Sequence, residues 1–242
     1  MRRVRLLLSG SILATLACSN LFAPLPFQDR SMHLEAGDDA EITHDGLYAV
    51  ANSILDRTYV RPDFDFSVYD RIFIEPLQIS AQYASSNANR DHGYGDRADF
   101  TLHQTDLDRL VRVYREQMKA GFGRGPGRTI RVVTTPGDGT LRLSSILINF
   151  ILSAPNEQSR DVHQVKTYTG STSRITVMAE VRDPVSGDVL VRFADTKSAI
   201  GNFQVNQQGL AIQDAEWVFK VWANTFRRRL EVLRKQGTVE AT

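Results

Sequence analysis

Cys18 is the only cysteine in a chain of 242 residues, and its position constrains the fold more than any other residue does. It follows a positively charged start, Arg2, Arg3 and Arg5, and an apolar run over 6–17, with the small Ala17 directly before it. That is the layout of a cleaved export signal whose mature chain begins at a lipid-modified cysteine. With the thiol acylated, neither an internal disulfide nor a cysteine metal cluster can form, so the folded part is expected to hold by packing alone. The site expectation is therefore lipid attachment at Cys18, with no catalytic, cofactor-binding or metal residue and no cofactor.

The apolar run spans about 18 Å as a helix, well short of the ~30 Å hydrocarbon core, so it is expected to be removed rather than to cross the membrane. Two or more acyl chains, palmitate among them, would then anchor the mature chain. Arg2 and Arg3 lack the rest of a twin-arginine motif, which leaves general secretion. Ser19 after the cysteine points to the outer membrane, on its periplasmic face. Loss of the three signal arginines turns the formal charge of +1 slightly negative, which gives no general attraction to nucleic acid.

The expected organisation is a signal peptide over 1–17, a flexible tether over 18–45, one domain over 46–236 and a disordered tail over 237–242. The tether contains Pro24, Pro26 and Gly37 and the acids Glu35, Asp38, Asp39 and Glu41, a composition that lifts a domain off a surface. Leu47, Val50 and Ile54 are spaced for one short helical face. Tyr69-Asp70-Arg71-Ile72-Phe73-Ile74-Glu75-Pro76-Leu77 reads as the first strand, with Pro76 at its end. A polar stretch over 85–104 follows, long for a connection within a compact domain. It holds His92 and His103, but without a second ligand at metal-binding spacing.

A helix is expected from Thr105, its cap, with Leu107, Leu110, Val111, Tyr114, Met118 and Phe122 as the core-facing stripe. The glycine-rich Gly121-Phe122-Gly123-Arg124-Gly125-Pro126-Gly127 leaves a helix rather than a strand, so it reads as a helix end and turn, not a phosphate loop. Strands are expected over 128–133 and 140–153, the second with Ile146, Ile148, Phe150 and Leu152 on one face. A second long loop covers 154–173. Ile175 to Val181 and Asp188 to Thr196 alternate as a hairpin around Asp183-Pro184-Val185-Ser186-Gly187. Asp214 is expected to cap a closing helix over 215–234 whose apolar face is Val218, Val221, Trp222, Phe226, Leu230 and Leu233. Arg227, Arg228 and Arg229 read as a solvated basic turn of that helix, complementing its dipole.

The stretch DGLYAVANSILDRTYVRPDFDFSVYDRIFIEPL, the Pro136-Gly137-Asp138-Gly139 turn, the hairpin with its Asp183-to-Gly187 turn and the closing helix with Trp217 and Trp222 together resemble the bacterial lipoprotein family known as domain of unknown function 3313. These are packing and turn motifs, so the resemblance implies a lipoprotein and carries over Cys18 alone. The element order also resembles small α/β domains of other envelope lipoproteins, a likeness of fold and not of function. The fold expected is α+β: a two-layer sandwich with a mixed sheet of about five strands and two long helices packed on one face.

The function expected is a non-enzymatic, lipid-anchored envelope protein. It would bind another envelope protein or the cell wall through the open sheet face or through the loops over 85–104 and 154–173. The alternative is a cell-envelope hydrolase with a carboxylate pair brought together only by folding. Against it, the chain has no Gly-x-Ser-x-Gly or His-Glu-x-x-His motif, and His33, His44, His92, His103 and His163 all fall in expected loops or tether. A small-ligand carrier would need an apolar pocket that no sequence pattern reveals.

Overall fold

A computed structural model of the chain describes residues 31–80, 104–123, 129–151, 173–199 and 208–241. The strands are β1 (Tyr48–Ala49), β2 (Arg57–Val60), β3 (Arg71–Ile74), β4 (Gln78–Ile79), β5 (Arg131–Val133), β6 (Thr140–Ile151), β7 (Ser173–Arg182) and β8 (Val189–Ala199). Two helices, α1 (Gln104–Gly123) and α2 (Gln208–Gln236), complete the layers, with a short 3-10 turn at Phe66–Val68. The eight strands form one sheet in the order β1-β2-β8-β7-β6-β3-β5, and β4 pairs with β6 beyond β3. The mixed α+β architecture is as expected. The sheet is wider than five strands because β1, β2 and β4, of two to four residues, join those expected.

β3 runs parallel to both β5 and β6, and α1 is the crossover between β3 and β5. From β6 through β7, β8 and β2 to β1 the sheet is antiparallel. Pro76 has no N–H to give, and it falls between β3 and β4, which lie along successive parts of the same strand, β6. The β7–β8 hairpin forms as its alternation requires. Its turn closes with the Gly187 N–H on the Asp183 carbonyl at 2.9 Å, and Gly187 at φ 79° occupies a conformation that side chains disfavour.

Both helices cover the same sheet face. Ile175, Val177, Ala179 and Val181 of β7, Val191 and Phe193 of β8 and Leu141, Leu143 and Leu147 of β6 are buried against them. α1 buries Leu110, Tyr114, Met118 and Phe122, and α2 buries Val218, Trp222, Phe226, Leu230 and Leu233. Phe193 stacks on Phe226 with ring centroids 4.9 Å apart, and Tyr114 donates its hydroxyl to Ser145 Oγ at 2.7 Å across the layers.

Several expectations need correction. β6 does not bury Ile146 and Ile148: the odd-numbered leucines face the helices, and Ile148 is 45% exposed. From Ile146 on, apolar residues occur at both parities, and the register shifts between Leu147 and Asn149, leaving Ile148 as the extra residue of a bulge. Leu47 to Ile54 is not a helix. The Val50 N–H bonds the Thr58 carbonyl and that of Ala51 the His33 carbonyl, while Ser53 Oγ bonds the Leu55 backbone, the local competition by which serine diverts a helix. α1 starts at Gln104 rather than after Thr105, and α2 runs through Asp214 from Gln208, so neither Thr105 nor Asp214 is a cap.

Gly121 is not a turn residue but lies inside α1, where an added Cβ would stand 2.5 Å from Ala223 Cβ. It is the point of close approach between the two helices. Residues 31–45 are not a free tether: Met32 and Leu34 are in the core, and the Gln236 amide bonds both the N–H and the carbonyl of Met32, each at 3.0 Å. Nor do residues 237–241 form a loose tail. Val239 is buried, and its carbonyl accepts the Asp63 N–H at 3.0 Å. Residues 1–30, including Cys18, lie outside the described residues.

Candidate functional site

Among the described residues, polar side chains gather between the layers and on the uncovered sheet face. In β8, alternation puts Asp195 on the core side after Val191 and Phe193. Its carboxylate accepts the Trp222 indole N–H at 2.7 Å on Oδ2 and the Asp56 backbone N–H at 3.1 Å on Oδ1. Lys197 Nζ stands 2.8 Å from Oδ2. Asp56 returns the link by accepting the Thr196 N–H at 2.8 Å, and Thr58 and Ser53 share a hydroxyl bond at 2.8 Å beside it. A buried carboxylate with donors on both oxygens is held in place rather than poised to react. This cluster ties β8, α2 and the lead into β2 together.

The uncovered face carries the opposite parity. Register places Tyr59 beside Arg192, Arg192 beside Glu180 and Glu180 beside Ser144. Arg192 Nε donates to Glu180 Oε1 at 2.8 Å, and its Nη1 and Nη2 reach Asp45 Oδ1 at 3.2 Å and Oδ2 at 2.8 Å. This forked contact, with help from the Thr43 hydroxyl, holds the Asp45 carboxyl far below the usual carboxylate range. Arg182 bonds Glu180 at 2.5 Å and Arg142 bonds Glu75 at 2.6 Å. Toward the β5 edge, Arg131 bonds Asp70 at 2.7 Å and lowers its pKa. Toward β1, the Tyr59 hydroxyl donates to Glu41 at 2.6 Å, which raises the tyrosine's pKa.

This lattice pairs each carboxylate with a guanidinium or a phenol. A hydrolytic pair needs one carboxyl that keeps its proton near neutral pH, and the forked contact drives Asp45 the other way. The side chains of this arrangement are held in place by one another.

Of the residues singled out from sequence, Cys18, His92, His103 and His163 lie outside the described residues, as do the expected loops apart from Gln104 in α1 and Ser173 in β7. His33 and His44 are exposed, and His44 Nδ1 is 4.0 Å from Asp45 Oδ1. Among the described residues no group of three or more His, Cys, Asp or Glu could hold a metal ion, and no helix is long and apolar enough to cross a membrane. The arginine turn is not a solvated face: Arg227 and Arg229 are buried, and Arg227 Nη1 bonds Glu231 at 2.6 Å. Sequence reasoning missed Asp45, Glu180 and Arg192. The last two occupy the polar parity of a recognisable hairpin, so pairing its strands would have found them.

A family model described as a protein of unknown function (DUF3313) matches residues 49–226. No curated protein matches the chain. Among solved structures, the chain is similar to PelC from Paraburkholderia phytofirmans, described as a dodecamer, at 11% identity and TM-score 0.32, covering 65% of this chain and 88% of that one. Protein XCC0632 from Xanthomonas campestris is similar at 12% identity and TM-score 0.40, over 73% and 91% of the two chains. A provisionally assigned lipoprotein from Caulobacter crescentus is similar at 14% identity and TM-score 0.29, over 71% and 91%.

Proposed function

The chain belongs to the DUF3313 family of proteins of unknown function, and we propose that it is a non-enzymatic accessory module of the bacterial envelope. In this reading Cys18 carries the lipid that holds it at the periplasmic side of the outer membrane, and the uncovered sheet face binds another envelope protein or the cell wall. The observation that carries it is the Asp45–Arg192–Glu180 bridge, the centre of a pre-ordered charged surface on the side away from the helices. Such a surface confers specificity through complementary charge more than through buried area. The export signal before Cys18 supports the address.

The test is crosslinking in intact cells followed by mass spectrometry of what co-purifies. The lipidated protein is compared with Cys18→Ser and with a face variant combining Arg57→Glu and Ile148→Arg, two exposed positions. A specific partner lost from both variants, with the melting temperature of the face variant retained, is the expected result. Absence of any specific partner across crosslinkers of different reach would overturn the reading.

A further inference from the structure

The outer surface of the helix layer has a composition that the sheet-face function leaves unexplained. α1 and α2 run side by side in the same direction, with Gly121 against Ala223 and Gln117 Nε2 donating to Glu216 Oε1 at 3.0 Å. Arg109, Arg112, Arg115 and Lys119 of α1 and Lys220 of α2 are exposed there, against the acids Asp108, Glu116 and Glu216. Asp108 and Glu216 are engaged by glutamine amides, whereas the five cations have no ion-pair partner among the described residues. On α2, three residues before Lys220, Trp217 is 52% exposed, although Trp222, five residues on, is fully buried.

We propose that this helix surface rests on an anionic phospholipid bilayer, with Trp217 at the headgroup level and the cations over lipid phosphates. An indole is suited to that position, apolar in body with one N–H donor. Each lysine or arginine near an anionic bilayer adds attraction that salt screens. The sheet face lies on the opposite side of the domain, so docking in this way turns it away from the membrane and leaves it open to a partner. The inference rests on the proposed membrane address but not on what the sheet face binds.

The experiment uses the full chain incorporated into vesicles, with Trp217 as the probe. The sequence has two tryptophans, so Trp217→Phe isolates the constant signal of Trp222. In vesicles of phosphatidylcholine and phosphatidylglycerol with brominated acyl chains, Trp217 emission is expected to move to shorter wavelength and to be quenched. Phosphatidylcholine alone or high salt should abolish both effects. Lys119→Gln and Lys220→Gln should each weaken docking about fivefold. Flotation of the vesicles reports the anchor separately. A chain that floats with its vesicles while Trp217 keeps its solvent emission, or responds equally in both lipids, overturns the proposal.

Discussion

The indole N–H of Trp222 donates to the Asp195 carboxylate at 2.7 Å between the sheet and α2, with both side chains out of reach of solvent. One bond thereby joins β8 to the middle of the closing helix. Trp222→Phe keeps an aromatic ring but leaves Asp195 short of a donor, and should cost about 1–3 kcal/mol. Trp222→Ala also opens a cavity and should cost about 3–5 kcal/mol. Urea denaturation of the two variants separates the contributions, and a Trp222→Phe variant as stable as wild type would show that the hydrogen bond adds nothing.

Gly121 and Ala223 set the spacing of the two helices. Gly121→Ala would normally favour a helix by about 1 kcal/mol, but here its methyl would meet Ala223 Cβ at 2.5 Å, and overpacking of this kind costs about 1–3 kcal/mol. The variant should melt below wild type. Adding Ala223→Gly should recover much of the loss, and a calorimetric melt in which it recovers none would place the strain elsewhere.

Asp45 fastens the segment before β1 to the sheet through Arg192 and accepts the Thr43 hydroxyl within that segment. Its carboxyl titrates lower in the folded chain than its ordinary value of 3.8, so the unfolded chain takes up this proton first as pH falls. The contribution is therefore complete well above pH 3.8 and declines as pH drops below it toward the depressed native value. Asp45→Asn should melt lower than wild type at pH 6, and the gap should narrow by pH 3. A gap independent of pH would mean that the carboxylate charge is not what binds the segment.

Removal of residues 18–45 tests where the domain begins. A mature chain starting at 46 loses Met32 and Leu34 from the core, each about 1.5–3 kcal/mol of burial, together with the Asp45–Arg192 contact. Thermal melts should show it far less stable than a chain starting at 31, which keeps these contacts. Equal melting temperatures would restore residues 31–45 to the status of a tether.

Much of this architecture was legible in the chain because it rests on local periodicity. The α1 stripe Leu110, Tyr114, Met118 and Phe122 and the α2 face from Val218 to Leu233 repeat at helical spacing, and the β7–β8 hairpin alternates around a turn that contains Gly187. The β6 face was not legible, because apolar residues of both parities compete there and a bulge at Ile148 changes the register. The polar site was harder still: Asp45 and Arg192 are 147 positions apart, and no local pattern signals such a pairing.

A single cysteine excludes an internal disulfide, and the sequence by itself determined the two amphipathic helices and the hairpin, since each depends on neighbours within a few residues. Tertiary structure alone decided that residues 31–45 belong to the domain, that Gly121 is a helix contact, and that Arg227 and Arg229 are buried. It also decided that the arginines and carboxylates of the open face meet. Those outcomes depend on which surfaces remain uncovered once the layers pack, and that is a property of the whole chain rather than of any stretch of it.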